Sequence, residues 1–230
     1  MDHTLRPRLS VTALLLFTAS TGAIDAVSYL GLDRVFTGNM TGNVLFLGFA
    51  LVGVPGIPFL NNAVALLGFV AGSIVSGRIV GRGHRPGSLP TGSIVVLVIG
   101  AVIIAAVVLV SLLSPSLPDP ALLAVTAGLA FAMGGQVTAV KPVGNSDITT
   151  IVVTNTIANL ARDSRLGGGH GQQWMQRLLA VVAMGAGAAL GAYAILSAST
   201  VVALSVACVL YAAACTLMIV ATRRQPPSTP

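Results

Sequence analysis

Glutamate is absent from this chain, and charge of either sign is scarce. Only 8% of its 230 residues are charged, 12 Lys+Arg against 6 acids, and every acid is an aspartate. A soluble domain of this length carries about 25% charged residues. So few cannot cover a water-facing surface, which excludes a soluble globular fold. The three histidines, His3, His84 and His170, fall in tails or loops, so facing helices cannot assemble a metal site or a histidine relay. Cys208 and Cys215 stand seven apart on one apolar run. That separation is about 10 Å along a helix axis, too far for a disulfide, and both read as packing residues. The sequence also lacks a phosphate-binding loop and a nucleophile–base pair. It is read as a non-enzyme with no cofactor and no metal.

What is abundant is apolar. Hydrophobic residues make up 55% of the chain and the mean hydropathy is +0.92, the composition of an all-α polytopic membrane protein with the lipid bilayer as its partner. A net charge of +6 would suggest nucleic acid in a soluble protein. Here the basic residues stand singly at the ends of apolar runs, where they fix orientation, and nucleic acid is excluded. Arg6 and Arg8 before Leu9–Ala19 have the form of a signal peptide, but the apolar stretch continues to Leu32, interrupted only by Asp25. A retained helix is expected.

Strong spanning helices are predicted near 10–31, 61–81, 92–113, 119–141, 176–196 and 200–221. Turns are placed at Pro55–Pro58 and Ser197–Thr200, with short tails at 1–8 and 223–230 taken as disordered. Two further segments, 38–54 and 148–162, are doubtful; the second carries Thr149, Thr150, Thr154, Asn155, Thr156 and Asn159 and is a poor candidate to cross lipid. If all eight segments cross from a cytoplasmic N-terminus, the basic residues divide 7 inside to 5 outside. If the two doubtful segments dip in and return, Arg78, Arg82, Arg85 and Lys141 move inside, leaving Arg34 alone outside, 11 against 1. The rule that positive charge stays cytoplasmic favours six crossings plus two re-entrant or half-helix segments, with both termini cytoplasmic. Seven or eight crossings are the alternative, since 38–54 is apolar.

The two doubtful segments resemble each other. Thr37-Gly-Asn-Met-Thr-Gly-Asn43 can be laid on Thr154-Asn-Thr-Ile-Ala-Asn-Leu160, each after a helix ending in an Asp-containing loop (Asp33, Asp147), and Ala71-Gly-Ser on Ala186-Gly-Ala. The single membrane domain, 1–230, is therefore read as two halves, 9–113 and 119–222, in an inverted 3+3 repeat. Such repeats place broken helices face to face where solute binds. The alignment sets Asp25 opposite Thr138 and Ser28 opposite Lys141.

The run Gly22–Gly31 (GAIDAVSYLG) followed by Val35–Val44 (VFTGNMTGNV) resembles the YoaK family, also called the domain of unknown function 1275, over about Ser10 to Thr222. In place of the second family motif, a Thr-Gly-Thr-Leu-Thr-like run, the chain has Thr154-Asn-Thr-Ile-Ala-Asn159. The resemblance implies a bacterial inner-membrane protein with several helices, and it implies no activity.

An acid inside a spanning helix is costly and must face the bundle interior, a partner or water. Asp25 is read either as a proton or cation site or as an acid that caps a neighbour or forms an ion pair with Lys141. In the first motif the glycines permit close, non-helical backbone, while Thr37, Asn39, Thr41 and Asn43 supply neutral donors and acceptors. With Ser28, Thr154, Asn155, Thr156 and Asn159 they form the candidate substrate-binding set; the alternative is hydrogen bonding between packed helices. Trp174 reads as an interfacial anchor, and Asp163 with Arg162 and Arg165 as a solvated loop cluster. The leading expectation is a permease or channel for an unknown small solute, passive or ion-coupled through Asp25. The other is a non-transporting scaffold whose Thr/Asn motifs pack helices; a homo-oligomer is compatible with both.

Overall fold

A computed structural model describes residues 5–84, 88–114, 116–143, 153–169 and 174–223. Among these residues the regular structure is helical. In chain order the α-helices are α1 (Leu5–Gly31), α2 (Met40–Leu51), α3 (Phe59–Val80), α4 (Thr91–Leu113), α5 (Asp119–Val140), α6 (Val153–Arg162), α7 (Trp174–Ser197) and α8 (Thr200–Arg223). Single turns of 3₁₀ helix lie at 141–143 and 165–167. Six of the eight are long and apolar enough to cross a membrane. The shortest of these, at 22 residues, spans about 33 Å against a hydrocarbon core of about 30 Å. The 12 residues of α2 reach only about 18 Å, roughly half the distance, and the 10 described residues of α6 cover about 15 Å.

Proline and glycine set the boundaries. Pro58, Pro90 and Pro118 precede α3, α4 and α5, positions where a missing N–H costs nothing. Gly81 ends α3 at φ +76°, backbone open to glycine but strained for other residues. The expected spans agree with these helices to within two residues except at α1. That helix is already present at Leu5, the first described residue, inside the segment expected as a tail. The rest of the expected tails, and the 148–152 part of the second doubtful segment, lie outside the described residues.

The halves α1–α4 and α5–α8 use their helices alike. In α1 and α5, 61% of the apolar stretch is buried; in α3 and α7, 22%; in α4 and α8, 33% and 39%. The first helix of each half is thus the central one. Packing follows the same exchange, α1 resting on α7 and α8 and α5 on α3 and α4, while α4 meets α8. Phe17, Leu97, Leu129, Met133, Leu204 and Tyr211 fill the centre, with Phe17 edge-on to Tyr211 at 5.2 Å.

The closest helix pairs show why glycine is where it is. On α3 and α5, a β-carbon at Gly72 would strike the carbonyl of Phe131, and one at Gly134 the carbonyl of Phe69. On α7 and α1, Gly187 meets the carbonyl of Ala19 in the same way, and Gly22 that of Met184. Gly72 thus lies on Gly187, Phe69 on Met184, Phe131 on Ala19 and Gly134 on Gly22, in one consistent register. This register pairs Asp25 with Val137 and Ser28 with Val140, one residue from the expected pairing with Thr138 and Lys141.

Candidate solute site between the two half-helices

Asp25 lies on α1, 6% exposed. Its Oδ1 accepts the backbone N–H of Thr37 at 2.9 Å and of Gly38 at 2.7 Å, and the Thr37 hydroxyl at 3.4 Å. Its Oδ2 accepts the N–H of Asn39 at 3.0 Å. These amides lead directly into α2, whose N-cap residue Asn39 makes no side-chain cap of its own. The carboxylate of one helix therefore caps the start of another, where exposed N–H groups and the helix dipole both favour an anion. Lys141 is exposed on the 3₁₀ turn after α5, and the two side chains form no ion pair. Of the two readings of Asp25, the geometry displays the capping one.

Asp25 lies six residues, about 9 Å, before the end of α1. The chain comes back to its level at residues 37–39, and α2 then returns toward the α1 terminus, where Phe46 and Phe36 stack with Tyr29 at 6.2 and 5.0 Å. Segment 38–54 thus enters the bundle and leaves on the side from which it came.

The 37–43 motif divides into two sets of side chains. Thr37 and Asn43 are fully buried. Asn43 accepts the Phe36 N–H at 2.9 Å and donates back to the Phe36 carbonyl, closing the loop as a backbone pair would. The glycines allow the tightness, since a β-carbon at Gly38 would sit 2.8 Å from Thr21 Cγ2 and one at Gly42 2.8 Å from the Phe36 ring. Asn39 and Thr41 are exposed instead. With Gly38 and Met40 they form one wall of a cavity of about 510 Å³. Its described lining also includes Val153 and Thr154 of α6, Phe69 of α3, and Val181, Met184 and Gly185 of α7. The start of α2 and the first described residues of α6 therefore line one space. Thr41 and Thr154 both line it, as do Phe69 and Met184, paired by the glycine register.

Asn43 of α2 and Thr156 of α6 are both buried. Asn155 is exposed and does not line the cavity, while Asn159 contributes its carbonyl, which accepts from Arg177 Nη1 at 2.9 Å. Ser28 is buried with no hydrogen-bond partner.

Arg177, on α7, also holds Asp163 at 2.6 Å, while Arg162 reaches the same carboxylate at 2.8 Å. These bonds, first from Arg162 and then from Arg177, pull the Asp163 carboxyl down to about 2. The Arg162 side chain is 71% exposed and the Arg177 side chain only 10%, so the buried Arg177 contact is the less screened. Arg162 is solvent-exposed and Asp163 partly so, as a loop cluster would be, and Arg177 adds a link from α7 to the end of α6.

Gln136 escaped notice in the sequence, and Asp33 was noted only as part of a loop. Gln136 of α5, fully buried, donates to Thr21 Oγ1 at 3.2 Å and leaves its Oε1 without a partner. Asp33, 8% exposed, accepts the Thr126 hydroxyl at 2.7 Å, tying the loop after α1 to α5. Gln136 is the one amide side chain within an otherwise apolar or small-residue span, and that isolation was a usable signal. Among the described residues no group of three His, Cys, Asp or Glu could hold a metal.

The family described as Protein of unknown function (DUF1275) matches residues 13–218. The chain belongs to this family. The DUF1275 match takes in both half-helices and every residue lining the cavity. The chain is also 32% identical over 152 residues to the UPF0700 transmembrane protein YoaK of Bacillus subtilis (strain 168), a match covering 66% of each protein. No solved structure matches.

Proposed function

We propose that this chain is a small-solute permease or channel of a bacterial inner membrane, with no catalytic role. Its two halves form an inverted repeat around the cavity, and both termini face the cytoplasm. The observation that carries the proposal is that the start of α2 and the first described residues of α6, one short helix from each half, line a single cavity inside a six-helix membrane bundle. Broken helices placed in this way surround solute sites in membrane transporters. The matched glycine contacts support the inverted repeat, and the division of basic residues supports the orientation.

A scaffold is the second reading, favoured by the fact that Asp25, Thr37 and Asn43 are engaged in holding α2 in place. It leaves Asn39, Thr41 and Thr154 facing an open cavity for no purpose. The test uses a background with Cys208→Ala and Cys215→Ala and a single cysteine in place of Thr41 or Thr154. A membrane-impermeant thiol reagent should reach both positions in vesicles of defined orientation, and solutes should compete. Failure to label either position from either side would favour the scaffold.

A further inference from the structure

We infer that the solute taken by this cavity is uncharged, a small molecule with hydroxyl or amide groups and one apolar face; the inference rests on the permease reading. The described lining contains no ionisable side chain. Its polar side chains are Asn39, Thr41 and Thr154, all neutral, and none of them has a hydrogen-bond partner within the described protein. They remain available to a ligand as both donors and acceptors. Phe69 and Met184, the pair related by the glycine register, supply an aromatic ring and a thioether for the ligand's apolar side.

Among the described residues, the Asp25 carboxylate lies behind Gly38. A cation in the cavity finds its oxygens already accepting the amides of Thr37, Gly38 and Asn39. An anion finds no arginine or lysine in the described lining, and the same carboxylate offsets the positive end of α2. A full charge moved from water into such a site would lose its hydration with no partner in the described lining, whereas a neutral polar solute needs only the three free side chains. The cavity, about 510 Å³, is within the range of sites for small organic ligands.

Gly185 provides a block. It lines the cavity, and a β-carbon there would have nothing within 4 Å, so a larger side chain enters open space rather than a packed helix face. The experiment reconstitutes the full chain into liposomes and follows vesicle swelling with matched pairs of probes: acetamide against acetate, and 1,2-propanediol against methylammonium. Acetamide and propanediol should enter at least tenfold faster than into empty vesicles, with acetate and methylammonium at background. Gly185→Phe should abolish the difference, while Gly77→Ala, at another glycine with open space but away from the cavity, should keep it. Charged members entering as fast as their neutral partners would overturn the inference and leave the permease standing. Entry of no probe above empty vesicles would remove both.

Discussion

The Oδ1 atom of Asp25 lies 2.7 Å from the amide nitrogen of Gly38, the shortest of three backbone bonds by which an acid on one helix caps another. Such charge-assisted bonds contribute about 1.5–3 kcal/mol each, and removing the acceptor leaves buried donors bare. Asp25→Ala should therefore lower thermal stability in detergent strongly, on the order of 3 kcal/mol. Asp25→Asn should cost less, because its carbonyl can still accept from Thr37 and Gly38 while its amide opposes the Asn39 N–H. Lys141→Ala should be close to neutral. A melting-temperature loss in Lys141→Ala equal to that of Asp25→Ala would revive the ion pair and remove the cap.

Close helix contact makes a second prediction. At Gly72 and Gly187 a side chain would meet backbone rather than a movable neighbour, once in each half. Gly72→Ala and Gly187→Ala should each destabilise by about 1–3 kcal/mol through overpacking. Gly185→Ala, on the same helix as Gly187 but facing open space, should be neutral or gain up to about 1 kcal/mol from helix propensity. Denaturation series on the three variants would show it, and equal losses at Gly185 and Gly187 would mean that α7 does not approach α1 at Gly187.

The spans were readable because their signals are local. Runs of about 20 apolar residues, bounded by Pro58, Pro90 and Pro118, state a helix without reference to its neighbours. The same holds for the re-entrant nature of 38–54, which followed from where Arg78, Arg82 and Arg85 would otherwise lie. What the sequence concealed was direction. Thr37, Asn39, Thr41 and Asn43 look equivalent in the chain, yet only Asn39 and Thr41 face the cavity, because Asp25 draws in the 37–39 amides and Asn43 folds back on Phe36. Register was hidden for a similar reason. Alanine, glycine and threonine are so frequent here that several alignments of the halves look alike, and only the carbonyls opposite Gly72 and Gly187 distinguish them.

The link at Asp163 should be insensitive to pH over the physiological range. Its carboxyl is held at about 2, below its ordinary value of 3.8, so the folded state favours the ionised form. The stabilisation is complete above about pH 5 and fades as pH falls toward 2. Trp174, the single tryptophan, begins the helix that carries Arg177 and can report on this site. Its fluorescence should stay flat from pH 8 to pH 5 and change only below about pH 4; in Asp163→Asn that acid transition should vanish. A transition near neutrality that survives Asp163→Asn would assign the reporter's response to another group.

Orientation gives the most decisive test, because every functional claim depends on α2 turning back. A two-sided topology reporter inserted between Gly83 and Gly87 follows α3 directly. With α2 re-entrant, the N-terminus and this loop lie on the same side, since only α1 and α3 cross between them, and the positive flanks make that side cytoplasmic. A cytoplasmic signal is therefore expected. Charge should be able to reverse a weakly held segment but not this one: adding two lysines near Gly56 should leave the signal unchanged, because the bonds from Asp25 and Asn43 fix the loop by contact rather than by charge. A periplasmic signal in the unaltered chain would make α2 part of a full crossing, separate the start of α2 from α6, and leave the scaffold as the better account of the polar motif.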